Sequence, residues 1–166
     1  MTSGGPDGEI GASMRYLSQR FTAPNRVCMA VLTDVATEEL GHLEMVSTIV
    51  HQLTANLTVE EIENQGFADY YVDHAVGIWP QSAGGIPFNS CEFQSKGDPI
   101  TDMFESMAAE QKARSTYDNI LRVVRDIPEI ADPIRFLRAR EVVHFQRFGE
   151  ALQSLQDQLN SKNFYQ

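Results

Sequence analysis

Cysteine is scarce in this sequence. Cys28 and Cys91 are the only two in 166 residues, which excludes a disulfide framework and a four-cysteine metal site. Cations are also short. Thirteen Lys and Arg stand against 23 Asp and Glu, a formal charge of −10, so nucleic acid or an anionic membrane surface would repel the chain. No apolar run approaches the ~20 residues needed to cross a bilayer. The opening MTSGGPDGE lacks the basic and apolar regions of a signal peptide. These absences make the cytoplasm the default location. What is present suits a buried core: hydrophobic residues are 42% of the chain, and its length fits one domain, 1–166.

Helical periodicity fills four long stretches. The first, about 7–22, follows Pro6 and ends at the TAPN segment, and Met1 lies close enough to it that a shortened N-terminal segment is expected. The second, about 25–54, carries Cys28, Val31, Leu32, Val35, Val46, Ile49 and Leu53 at spacings of three and four. Thr58 with Glu61 forms a capping-box pattern for a short helix near 58–64. Between about 66 and 97, Trp79-Pro80, Gly84-Gly85, Pro87 and Gly97 break regular structure. Asp98-Pro99 then opens a helix at about 99–125, and Asp132-Pro133 opens another at about 132–160 by the same device. Two helical hairpins joined by a crossover over 55–98 describe an all-α, ferritin-like four-helix bundle with one long connection. An α-helical repeat array is the competing fold, but no repeat of ~34 to 45 residues is present.

Charged residues interrupt the apolar stripes at matched places. Glu39 and His42 break the stripe of the second helix, and Glu141 and His144 break that of the fourth. Residues three apart share a helix face. Glu110 lies on the line of Met103, Met107, Tyr117 and Leu121, and Glu9 stands seven residues before Tyr16, as Glu110 does before Tyr117. Glu9 and Glu39 are 30 residues apart, Glu110 and Glu141 31. Each hairpin therefore offers a lone Glu with a Tyr two turns on, then a Glu-x-x-His. Folded about a pseudo-two-fold axis, four glutamates and two histidines converge at mid-bundle. Buried carboxylates in that number need cations, and two divalent ions are the simple answer. Ion-paired surface helices are the alternative reading.

Other polar residues carry less. Glu38 falls off the stripe with Asp34 and is assigned to the surface. Tyr16 and Tyr117 are either donors to ligand carboxylates or packing tyrosines. Arg138 or Arg140 is a candidate partner for the site's carboxylates. His51 is expected at the surface, His74 is structural or lines a channel, Cys28 is a core residue, and Cys91 a packed loop residue.

The segments GGPDGEIGASMRYLSQRF, LTDVATEELGHLEMV, KGDPITDMFESMAAEQKARSTY and FLRAREVVHFQRF, in this order, resemble the manganese catalase family, and within it the short spore-coat CotJC-like members. The resemblance also covers YYVDHA and AGGIPF in the crossover. It implies disproportionation of hydrogen peroxide to water and dioxygen at two manganese ions. Carried onto matching positions, it makes Glu9, Glu39, His42, Glu110 and His144 the metal ligands, with Glu39 bridging. Glu141 becomes the acid/base beside the open coordination position, whereas symmetry alone would make it a sixth ligand. A homo-oligomer, a hexamer, is implied too, in the cytoplasm or a spore coat. The C-terminal extension of the long catalases is missing, and Ala109 stands where some place an Arg. The ligand types suit Mn, Fe or Zn, so a ferritin-like di-iron ferroxidase or peroxidase is the alternative enzyme, and a structural coat protein the non-enzymatic one.

Overall fold

Asn25 and Asp98 start two of the long helices by accepting from the amides of Cys28 and Thr101, which have no partner within the helix. In the computed structural model, which describes residues 4–66, 68 and 89–161, the chain runs α1 (Glu9–Gln19), a 3-10 turn (Arg20–Thr22), α2 (Arg26–Thr54), α3 (Val59–Asn64), a second 3-10 turn (Ser90–Glu92), α4 (Pro99–Val124) and α5 (Pro128–Asn160). No strand occurs among the described residues. Among them, no helix is long and apolar enough to cross a membrane. His74, Trp79-Pro80, Gly84-Gly85, Pro87, YYVDHA and AGGIPF lie outside the described residues.

Helices α1 with α2, and α4 with α5, pack as the two hairpins, and α2 lies against α5 to join them. This is the ferritin-like bundle. Among the described residues, its apolar interior falls into two clusters. One gathers Tyr16, Cys28, Leu32, Val35, Met103, Phe148 and Leu155; the other gathers Val46, Tyr117, Ile134 and Leu137. The stripes of the sequence supply nearly all of these residues, as amphipathic periodicity requires. The acidic residues on those stripes separate the two clusters, so apolar packing lies on either side of them. Thr58 and Glu61 complete the expected capping box on α3.

Tight contacts fix both ends of the first helix and the return from the crossover. A Cβ on Gly11 would stand 2.6 Å from the carbonyl oxygen of Pro6 and 2.7 Å from that of Gly5, so only glycine lets the turn at 5–8 fold back onto α1. Asp102, buried in the first turn of α4, accepts from the backbone amides of Lys96 at 2.7 Å and Gly97 at 3.0 Å. Gly97 has φ +77°, which favours glycine. Gln19 donates to Ser95 and accepts from Ser106, tying α1 to the same place.

Several expectations are corrected. Helix α5 begins at Pro128, a turn ahead of Asp132-Pro133, and holds Pro133 inside it. Ile127, before a proline, is held out of the helical region at φ −120° and ψ 86°, and its carbonyl accepts from Ala131. Pro133 has no amide to give to Glu129, and Glu129 is exposed, so water takes that role cheaply. Leu53, expected on the apolar face of α2, is exposed. Cys91 is exposed in its 3-10 turn, whereas Cys28 is buried as expected and His51 is at the surface.

Candidate metal centre

Helical spacing brings the four glutamates and two histidines together. Glu9 on α1, Glu39 and His42 on α2, Glu110 on α4, and Glu141 and His144 on α5 are all at most 3% exposed. Donor atoms of Glu39, His42, Glu141 and His144 lie within 4.8 Å of one another. Glu39 is central: its Oε2 is 2.8 Å from His42 Nδ1 and its Oε1 2.8 Å from His144 Nδ1. The two imidazoles lie nearly parallel, with centroids 5.4 Å apart and planes 18° apart. Glu110 Oε2 is 3.3 Å from His144 Nδ1, and Glu141 Oε1 is 3.6 Å from His42 Nδ1.

Proximity here is mostly not hydrogen bonding. Glu39 Oε1, Glu110 Oε2, Glu141 Oε1 and His144 Nδ1 are fully buried with no hydrogen-bond partner, as are Nε2 of His42 and of His144 on the far edges of the rings. Buried polar atoms are normally satisfied, and each exception asks for a reason. Carboxylate oxygens and ring nitrogens aimed at a shared volume, close but misaligned for hydrogen bonds, are what ligands of a common cation look like. Oxygen and imidazole donors suit Mn, Fe or Zn, so the residues present fit a divalent metal.

The tyrosines cross between hairpins. Tyr16 of α1 donates to Glu110 Oε1 of α4, and Tyr117 of α4 donates to Glu9 Oε1 of α1. Of the two readings of these residues, the donor reading is the one realised. Each tyrosine is also buried in one of the apolar clusters.

Charge crowding sets the protonation of the metal-free site. Burial, then the carboxylates of Glu110, Glu39 and Glu9, push Glu141 up to about 12. Burial and the Glu39 carboxylate raise Glu9 well above the carboxylate range, against the pull of Tyr117. Burial would raise Glu39 too, but His144 and His42 outweigh it and hold Glu39 at about 2. Burial disfavours a charged His144, yet Glu110 and Glu39 raise it to about 10. Protons thus supply the positive charge that the carboxylates demand, at positions that metal ions would take over.

Glu38 is the residue that the sequence misplaced. It is half-buried rather than on the surface, accepts a bidentate pair of hydrogen bonds from Arg140, and lies beside both histidines. Burial opposes its ionisation, but Arg140 and His144 prevail and hold it at about 2. A signal was present: Glu38 precedes His42 by four, which on a helix is as close as three. Arg138 instead pairs with Asp118.

Residues 2–163 match the family model for manganese containing catalase. Among curated relatives, Protein CotJC of Bacillus subtilis is 44% identical over 162 residues, spanning 98% of this chain and 85% of the relative. A probable manganese catalase of Clostridium acetobutylicum is 30% identical over 161 residues, spanning 97% of this chain and 71% of the relative. Among solved structures, wild-type KatB, a manganese catalase from Anabaena, matches with a TM-score of 0.82 at 29% identity, over 99% of this chain and 73% of that one.

Proposed function

The chain belongs to the family of manganese-containing catalases, and on that premise we propose that it disproportionates hydrogen peroxide to water and dioxygen at a pair of manganese ions. The observation that carries this reading is Glu39, with one carboxylate oxygen 2.8 Å from each of two imidazole Nδ1 atoms. A carboxylate so placed could be shared by two ions, and His42 and His144 would each hold one, with Nδ1 as the donor edge. Glu9 and Glu110 complete the set, each oriented by a tyrosine from the opposite hairpin.

Manganese bound there supplies a two-electron couple, taking electrons from one peroxide and returning them to another. The chain's own work is binding, exclusion of water and proton transfer. The two apolar clusters keep bulk water from the centre. Glu141 is the proton carrier: buried beside the other carboxylates, it would relay, one after the other, the two protons released by the peroxide that becomes dioxygen to the peroxide that becomes two waters. Both halves move protons, so a carrier beside the ions is needed in each.

The test is metal analysis of protein produced with manganese, together with oxygen evolution from peroxide. We expect two manganese ions per chain and sustained oxygen release. Glu39→Gln should lose both ions, and Glu141→Gln should keep metal while losing turnover. Wild-type protein that binds no manganese and releases no oxygen would overturn the reading. Rapid oxidation of Fe(II) without oxygen from peroxide would replace it with a di-iron ferroxidase, since the donor set also suits iron.

A further inference from the structure

The two Glu-x-x-His motifs are preceded by different residues, Glu38 on α2 and Arg140 on α5. The pseudo-two-fold axis exchanging the hairpins exchanges these positions, and the two side chains meet. Arg140 donates from Nε to Glu38 Oε1 at 2.5 Å and from Nη2 to Oε2 at 3.0 Å. Like charges at these positions would repel; Glu and Arg make a bidentate pair. The Glu38 carboxylate also faces both imidazoles, on the edge turned away from Glu39. Its Oε1 is 3.5 Å from His42 Nε2, and its Oε2 is 3.2 Å from His144 Nε2; both nitrogens are buried and neither contact has hydrogen-bond alignment in the metal-free chain, so each ring has an Nε2 with no other acceptor to serve. Each ring has Nδ1 toward Glu39 and Nε2 toward Glu38.

We infer that Glu38, fixed by Arg140, is a positioning residue shared by both imidazoles: it accepts from Nε2–H of His42 and of His144, and so commits both Nδ1 lone pairs to the metal ions. This rests on the reading that the Nδ1 edges hold those ions. A neutral imidazole carries one proton, so a carboxylate at Nε2 keeps it there and leaves Nδ1 as the donor atom. Two oxygens, one toward each ring, let a single side chain govern both metal positions. Glu38 is not itself placed to bridge the ions, because it lies behind the rings with its side chain 29% exposed, against 1% for Glu39. The half-exposed pair adds little to the cohesion of α2 and α5, which the buried clusters supply.

The experiment titrates Mn(II) against a chelator in wild-type protein, Glu38→Gln, Glu38→Arg, Arg140→Glu and the exchanged pair E38R/R140E. Glu38→Gln should bind both ions roughly 10–100-fold more weakly, with the melting temperature of the metal-free chain nearly unchanged. The exchange puts a carboxylate four residues before His144, as Glu38 stands before His42, so it should recover affinity that either single reversal loses. In the Zn(II)-loaded protein, the Nε2–H resonances of His42 and His144 should lie at low field and move upfield in Glu38→Gln, which a merely cohesive role would not produce. Glu38→Gln binding both ions within about twofold of wild type, with those resonances unmoved, would overturn the inference alone. Wild-type protein that binds neither Mn(II) nor Zn(II) would overturn it together with the reading of the centre.

Discussion

A carboxylate buried away from water needs a donor or a cation for each oxygen, and at Glu9 and Glu110 one donor arrives from the opposite hairpin. Removing it has a cost that burial makes measurable. Tyr117→Phe leaves Glu9 Oε1 without its hydroxyl, and Tyr16→Phe does the same to Glu110; each should destabilise the chain by about 1–3 kcal/mol in urea unfolding. Because Glu9 and Glu110 sit in one charge cluster, the double variant should depart from the sum of the two losses. The pairing of residue types was legible in the sequence, since Glu and Tyr seven apart share a helix face. Which Glu each Tyr reaches was not, because a seven-residue spacing points along one helix while the bond runs between two. Glu38 was hidden differently. Its place off the apolar stripe was read as solvent, although a position at the stripe's edge can still reach the rings beneath it.

At the scale of elements, the turn before α1 positions Glu9, the first of the proposed ligands, and its fit depends on one missing side chain. Gly11→Ala sets a methyl against the carbonyls of Gly5 and Pro6, so the turn must move and Glu9 with it. We expect a loss of about 1–3 kcal/mol in thermal unfolding and weaker binding of one of the two ions in a metal titration. The helices themselves followed from periodicity and capping, and the hairpin pairing from chain order. The start of α5 did not. Asp132-Pro133 has the same pattern as Asp98-Pro99, but the earlier Pro128 satisfies the N1 position equally well and gains a turn of packing for Ile130 and Ala131. Local signals tie in such cases, and tertiary contact decides between them.

For the molecule as a whole, protonation and metal loading pull stability in opposite directions. Folded metal-free chain keeps protons on Glu141, at about 12 against an ordinary 4.5, and on His144, at about 10 against 6.5, with Glu9 raised as well. Stability from such groups is complete below the unfolded values and is lost as pH rises through the folded ones. Glu38 and Glu39, held at about 2, act the opposite way, but their contribution is already complete above 4.5. From pH 5 to 9 the melting temperature of metal-free protein should therefore fall. With manganese bound the trend should reverse, because falling pH returns protons to the ligands and expels the ions. Calorimetry across that range, with and without Mn(II), checks both signs, and a metal-free melting temperature that rises with pH would refute the first. A further expectation concerns assembly. Phe21, Phe104, Phe136 and Val123 are more than half exposed on this single chain, so light scattering should find a homo-oligomer of 18.6 kDa chains, with six chains the number that the family resemblance implies.

The crossed tyrosines also bear on how the protein is made. Synthesis delivers the α1–α2 hairpin first, carrying Glu9, Glu39 and His42 but not the hydroxyl that Glu9 needs, which waits on residue 117. Neither half supplies its own glutamate's tyrosine, so the proposed ligand set comes together only when the second hairpin docks. On that proposal, metal capture would serve as a receipt for correct assembly, because the finished cradle exists only in the folded bundle.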